Sequence, residues 1–233
     1  MGFRARRGDR WLLVLDGQAG TAHDGILDWT FAPGGERHAA ITRRRNGRWR
    51  VTEGEHSSPD YDGVVGPLAF SADGRHLACR ARRGNAWHVV LDGRTGPAWD
   101  LLLAPRFAPA GDAMAHVGSR GGRWFVVVNG RRQGPFDWFD YRGPWFSPDG
   151  RRVAFAARKN NQWRVHLDGR EGPSCEALGA VAVCFSPDSR HTAGMCLRAG
   201  RWRVAVDGTE GPACDRLIGD ELRWNGNDGV EYL

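Results

Sequence analysis

Arginine is the chemistry-bearing side chain that this sequence repeats most insistently. Six short segments, RARRGDR from residue 4, RRRNGR from 43, RARRGN from 80, SRGGR from 119, RKNN from 158 and RAGR from 198, carry 17 of the 33 basic residues. Lys159 is the single lysine. A guanidinium can grip a carboxylate or phosphate through two parallel hydrogen bonds, which an ammonium cannot do. A parallel series of acids, Asp24, Asp62, Asp100, Glu176 and Asp215, recurs with similar spacing, and Trp138 breaks the pattern in the fourth place. Around that break lie Trp138, Phe139, Tyr141 and Trp145, with Arg142 among them. Clustered aromatics beside a cation are what a peptide-binding or glycan-binding face requires.

Each of these features also has a bland account. Arginine at hairpin tips is an ordinary solvated choice, and the scarcity of lysine points to a compositional bias. Acids at equivalent places in a repeat can each make the same hydrogen bond within their own unit. Asp-Gly and Pro-Asp-Gly are selected by turn geometry alone.

Catalytic signatures are missing. The eight histidines, 23, 38, 56, 76, 88, 116, 166 and 191, form no H-x-H or H-x-x-x-H pair that would hold a metal. No G-x-S-x-G elbow, phosphate-binding glycine loop or dinucleotide fingerprint occurs. The sequence therefore predicts no enzyme, no cofactor and no metal.

The elements that position these residues follow from a repeat. Trp11, Trp49, Trp87, Trp124, Trp163 and Trp202 are spaced by 38, 38, 37, 39 and 39 residues. Phe31, Phe70, Phe107, Phe146, Phe185 and Trp224 keep the same beat. A fixed period of this length is an array of one supersecondary unit. The copy from Phe146 reads as four short strands: FSPDG into a turn, RRVAFAAR as a strand, KNNQ as a hairpin tip, then WRVHLDG and a weaker fourth strand through Glu-Gly-Pro. In WRVHLDG the alternation puts Trp163, Val165 and Leu167 on one face and Arg164 and His166 on the other. The periodic tryptophans, each opening the apolar face of strand c, are read as core rather than as a stacking platform. Four strands per unit with no helical period describe a propeller blade.

The prediction is thus all-β: a six-bladed β-propeller of four-stranded antiparallel blades forming a single domain over residues 1–233. The last blade is shared between residues 218–233 and 1–25, so that strands from both termini close the ring. The C-terminal piece is assigned strands a and b, and residues 6 to 25 strands c and d. The turn at Phe146-Ser-Pro-Asp-Gly150, with the close copies Phe185-Ser-Pro-Asp-Ser189 and Phe70-Ser-Ala-Asp-Gly74, resembles the repeats of TolB-type propellers. Phe31-Ala-Pro-Gly-Gly35 and Phe107-Ala-Pro-Ala-Gly111 are decayed copies. The resemblance spans the chain and implies the fold. It does not fix a function, since such propellers serve both as scaffolds and as peptidase gates.

Composition adds limits. No apolar run approaches 18 residues, so no membrane span is expected. No secretory leader is evident at the start, and the five cysteines, 79, 175, 184, 196 and 214, include no C-x-x-C. Free thiols in a cytoplasmic protein are the simplest account. A bond between Cys175 and Cys214, which share a position in successive blades, stays open. The net charge of +6 favours anionic partners.

The leading expectation is a non-enzymatic scaffold that binds an acidic segment of a partner protein. Trp138, Tyr141, Arg142 and Trp145 are its anchors, and Arg43, Arg44, Arg82 and Arg83 its steering charges. The alternative is a small-molecule or glycan sensor using the channel mouth around Arg106 and Arg223. Nucleic acid ranks third, having charge in its favour but no motif.

Overall fold

The computed structural model describes residues 2–216, 222–227 and 229–232, and these contain strands and turns but no helix. Five sheets follow one plan of antiparallel strands a to d. The first comprises Gly25–Phe31, His38–Arg43, Trp49–Glu53 and His56–Ser57, and the second Gly63–Phe70, Leu77–Arg83, Ala86–Leu91 and Arg94–Thr95. In the third, fourth and fifth sheets strand a is broken in two. Their first pieces are Leu101–Leu102, Trp138–Phe139 and Ala177–Leu178, and their second pieces Arg106–Phe107, Trp145–Phe146 and Cys184–Phe185. Strand b is then Met114–Arg120, Val153–Lys159 or Thr192–Arg198, and strand c Arg123–Val128, Gln162–Leu167 or Arg201–Val206.

The termini differ from the expected division. Gly2–Arg7 is itself a strand, paired along its length with Arg10–Leu15, and Gln18–Ala19 completes a three-stranded sheet. The N-terminal piece therefore supplies the equivalents of strands b, c and d, not c and d alone. Leu222–Asn225 and Gly229–Tyr232 form a two-stranded sheet. Residues 217–221, which fall in or beside the predicted shared blade, lie outside the described residues.

Turn chemistry accounts for most of the repeated acids. Asp168 and Gly169 both have positive φ, 51° and 81°, as a type I′ hairpin requires. The Asp168 carboxylate accepts the Val153 N–H at 2.9 Å, and Asp92 and Asp207 accept from Leu77 and Thr192 in the same way. In the a–b turn the fully buried Ser147 hydroxyl donates to Asp149 at 2.6 Å and accepts the Arg152 N–H at 2.9 Å. Ser71 with Asp73 and Ser186 with Asp188 repeat the device. The serine hydrogen bond, then a backbone N–H, holds Asp73, Asp149 and Asp188 below the usual carboxylate range. These acids are committed to their own turns.

Sheets bury both faces. His166, placed by alternation on the face opposite Trp163, Val165 and Leu167, is buried and stacks on Phe155 with ring centroids 4.6 Å apart and planes 4° apart. Alternation does not divide inside from outside when a neighbouring sheet covers each side. Burial lowers the His166 pKa. His116 is likewise buried, against Trp99, and burial lowers its pKa to about 4. Of the periodic tryptophans only Trp124 is fully buried, while the other five are half-buried. Arg43, Arg80 and Arg158 cover the rings of Trp49, Trp87 and Trp163.

Arginine also latches successive sheets. Arg152 hydrogen-bonds Asp168 of its own sheet at 3.1 Å and reaches the Arg190 carbonyl of the next at 2.7 Å, with its guanidinium 5.6 Å from the Phe185 ring. Arg37 does the same with Glu53, the carbonyls of Gly74 and Arg75, and Phe70. His191, bonded to Asp207, lies against Trp224.

The chain forms two compact units, residues 1–107 with 116–119, and residues 108–115 with 120–233. In the first, Ala39, Ile41, Tyr61, Val64, Cys79 and Ala81 share one core across the first two sheets. In the second, Met195, Leu222 and Trp224 tie the fifth sheet to the terminal hairpin.

Close approach between sheets depends on small residues in strand b. A Cβ on Gly118 would lie 2.5 Å from the Trp99 ring, whereas one on Gly63 would meet nothing within 4 Å. Gly118→Ala is therefore expected to cost about 1–3 kcal/mol through overpacking. Gly63→Ala is expected to change stability by less than about 0.5 kcal/mol. Denaturant unfolding of the two variants is the measurement.

Candidate aromatic platform and basic rim

Strand a of the fourth sheet opens at Trp138, whose Cα pairs with Arg158 beside the b–c hairpin tip. Asp137, just ahead, accepts the Asn160 N–H at 2.7 Å and an ion pair from Arg123 at 2.7 Å. Asp137 is thus the fourth member of the acidic series, and Trp138 does not break it. The shift by one residue matches the short 37-residue spacing between Trp87 and Trp124.

The chain then turns over residues 140–143. Asp140, buried at 8% exposure, accepts the Arg142 N–H and a forked hydrogen bond from the Arg142 guanidinium. This turn lifts Tyr141 to 46% exposure beside Trp138 at 42%. Their rings meet edge to face with centroids 5.7 Å apart, and both rest on buried Trp124, at 5.6 Å and 6.2 Å. Phe139, fully buried, supports Tyr141 from below. The result is a rigid aromatic step with a wet upper face, suited to apolar or stacking contact.

The structure brings together two of the four expected anchors. Trp145 is half-buried, paired with Ala154, and lies over Gly143, where an added Cβ would come within 2.8 Å of its ring. Arg142, expected as an anchor, is engaged within the structure. Its guanidinium is held by Asp140 and donates to the carbonyls of Gly179 and Ala180, two residues of the following sheet. The hydrogen bond to Asp140 raises its pKa further. Arg123 and Arg158 are the cations beside the platform. Sequence reasoning counted them with the rim, and only pairing register distinguishes them from the rest.

The rim is more neutralised than a basic segment count suggests. At four of the six strand-c tryptophans the preceding residue is an arginine that pairs with the acid opening the next strand a: Arg10 with Asp24, Arg48 with Asp62, Arg123 with Asp137 and Arg201 with Asp215. A hydrogen bond from the Gly84 N–H, and then the Arg48 and Arg82 charges, hold Asp62 below its usual range. Arg83 lies 5.1 Å over the Tyr61 ring. Arg44 pairs with Asp60, which Arg50 also binds. Burial pushes the Asp60 carboxyl up, and these two arginines overcome it and leave it low. Arg43 and Arg44 line a cleft within the first unit. Arg106 and Arg223 are exposed on strands of different units.

Cysteine chemistry also departs from expectation. Cys175 bonds Cys196, with Cα atoms 5.7 Å apart, and Cys79, Cys184 and Cys214 are free. Cys175 closes strand d of the fourth sheet and Cys196 lies in strand b of the fifth, so the bond staples two sheets. Cys214 sits one sheet further on, opposite Trp202. Among the described residues no group of three or more His, Cys, Asp or Glu is placed to hold a metal ion. No helix there is long and apolar enough to cross a membrane.

The four-stranded antiparallel sheets and the turn at Ser147-Pro-Asp-Gly150 resemble those of TolB-type β-propeller repeats. No protein-family model matches the chain, and no curated protein matches it. Among solved structures it is similar to TolB from Acinetobacter baumannii, with 15% identity over 86% of this chain and 58% of that one, at a TM-score of 0.42. The β-propeller domain of the Trilobed protease from Pyrococcus furiosus shares 11% identity over 91% and 79% of the two chains, at a TM-score of 0.42. The dihydro-heme d1 dehydrogenase NirN shares 17% identity over 95% and 55%, at a TM-score of 0.44. The chain spans little more than half the length of TolB and NirN.

Arg142→Ala removes the partner of buried Asp140 and the link to the following sheet. We expect a loss of about 1–3 kcal/mol, measured by chemical denaturation. Tyr141→Ser, which leaves the clamp in place, is expected to cost less than Arg142→Ala.

Proposed function

We propose that this chain is a non-enzymatic interaction module that binds an acidic segment of a partner protein on the Trp138–Tyr141 step. The observation that carries the reading is this exposed aromatic pair on a buried aromatic base, with Arg123 and Arg158 beside it. Anchors of this kind dominate protein interfaces because a rigid ring gains contact area with little loss of freedom. In this reading the sheets form a closed six-bladed ring, which gathers the b–c tips on one face. Arg43, Arg44, Arg82 and Arg83 then act as steering charges that speed the arrival of an acidic partner without anchoring it. The bonded Cys175–Cys196 pair favours an oxidising compartment over the cytoplasm expected from the sequence.

The test compares a synthetic peptide rich in Glu and aromatic residues with heparin and single-stranded DNA, titrated between roughly 50 and 200 mM salt. Trp138→Ala or Tyr141→Ala is expected to weaken the peptide by more than about tenfold. Arg82→Ala should mainly slow its association. If arginine removals abolish binding while both aromatic variants leave it unchanged, the surface is a charge-driven polyanion site.

Ring closure has its own test. Removing residues 222–233 is expected to expose a sheet edge and cause aggregation or loss of cooperative unfolding. A soluble truncated chain that unfolds in one sharp transition would overturn the closed ring.

A further inference from the structure

Neighbouring sheets meet at a recurring pair of positions. One is the strand-d residue opposite the periodic tryptophan, and the other is the strand-b residue opposite the second residue of strand a. The register places Tyr61 and Ala81 at this pair between the first and second sheets, and Trp99 and Gly118 between the second and third. Phe136 and Ala157 take the positions between the third and fourth. A large ring thus plugs the gap and a small residue admits it. Elsewhere the strand-d position carries no such plug: Cys214 holds it at the end of the fifth sheet, and two further junctions among the described residues lack it as well. Between the fourth and fifth sheets the pair is Cys175 and Cys196, and between the N-terminal sheet and the first it is His23 and Thr42. A cleft opens at each, of about 710 Å³ at the cysteines and about 730 Å³ at His23 and Thr42.

The second of these clefts is polar where a plug would be apolar. Thr42 is 1% exposed, yet its hydroxyl has no hydrogen-bond partner, and the buried Oδ2 of Asp24 has none either. Both residues line the cleft, above a floor that includes Leu13, Ile26 and Ala40. Orphaned buried polar atoms are costly unless something bonds them. Burial, then the Arg10 charge, lowers the His23 pKa, so its ring is neutral at pH 7 and can donate or accept. At the mouth stand Arg43, which lies over the Trp49 ring, and the exposed Arg45. The volume suits a small organic ligand.

We propose that this cleft binds a small hydroxylated organic anion, such as a phosphorylated sugar or a sugar acid. Ligand hydroxyls donate to Asp24 Oδ2 and bond the Thr42 hydroxyl and His23 at the floor. The phosphate or carboxylate meets the Arg43 and Arg45 guanidiniums at the mouth, in the forked geometry they favour. This site is separate from the aromatic step, and either can fail without the other.

Isothermal titration with glucose 6-phosphate, gluconate, glucose and inorganic phosphate tests the proposal on the full chain. Glucose 6-phosphate or gluconate should bind, more tightly than glucose or phosphate by at least about tenfold. The double variant His23→Tyr with Thr42→Ala, which installs the plug found between the first and second sheets, should abolish binding. Thr42→Val, close to isosteric, should weaken it several-fold and decides the matter if the double variant does not fold. No heat from either hydroxylated anion, equal binding of glucose, or affinity unchanged in the folded plugged variant and in Thr42→Val would each overturn it.

Discussion

A four-stranded sheet of some twenty residues cannot hold a core of its own, and the close contact between successive sheets is what the rest of this structure depends on. Strand b supplies that contact. It is written in alanine and glycine, as in Ala39-Ala40, Ala115 and Gly118, Ala154 with Ala156 and Ala157, and Ala193-Gly194, most of them buried below 5% exposure. Larger side chains there would hold the sheets apart, as the 2.5 Å approach to Trp99 makes plain. Rings on strand d fill the space that the small residues leave. The hydrophobic gain is shared between neighbours rather than contained in one unit, as in other repeat arrays.

Polar chemistry serves the same contact. The guanidinium of Arg152 binds an acid in its own sheet, carbonyls in the next and the face of the Phe185 ring, so one side chain fixes distance and angle together. Arg142 clamps Asp140 to the carbonyls at 179–180 with similar economy. Because the acids of the turns and of strand-a starts are bonded in place, the formal +6 is not a uniform positive field. The two sites proposed for recognition are accordingly local, the step at Trp138 and Tyr141 and the cleft at Thr42.

Much of the fold was legible in the sequence because turns and periodicity are local. Asp168-Gly169 between two apolar strands favours a type I′ hairpin, and Ser147-Pro-Asp-Gly150 closes its own hydrogen bonds. The site was legible in part. A departure from the repeat pointed to Trp138 and Tyr141, and the structure exposes both. The same signal pointed to Arg142 and Trp145, which the structure binds to Asp140 and half-buries over Gly143, since a departure from consensus also marks structural exceptions. The burial of His166 and the Cys175–Cys196 bond were hidden because each depends on the neighbouring sheet, Phe136 on one side of His166 and Cys196 opposite Cys175, and alternation along a single strand does not encode what faces it. Asp137 was missed through a one-residue slip, although it lies 13 residues after Trp124 as the other acids lie 13 after their own tryptophans, and the hydrogen bond from Asn160 fixes its place.

Latches at the a–b turns reach forward along the chain, although Arg198 reaches back to the Ser174 carbonyl. Arg37 reaches forward to residues 74–75, Arg152 to 189–190, and His191 to Trp224. Each sheet is therefore sealed by the one made after it. On a ribosome adding about 5–20 residues per second, a newly emerged sheet waits about 2–8 seconds for its cover. During that interval its forward face, with the alanine strand and the ring that should lie against it, is open to chaperones and to other nascent chains. The order of synthesis thus sets a moving window of vulnerability that a finished molecule no longer shows.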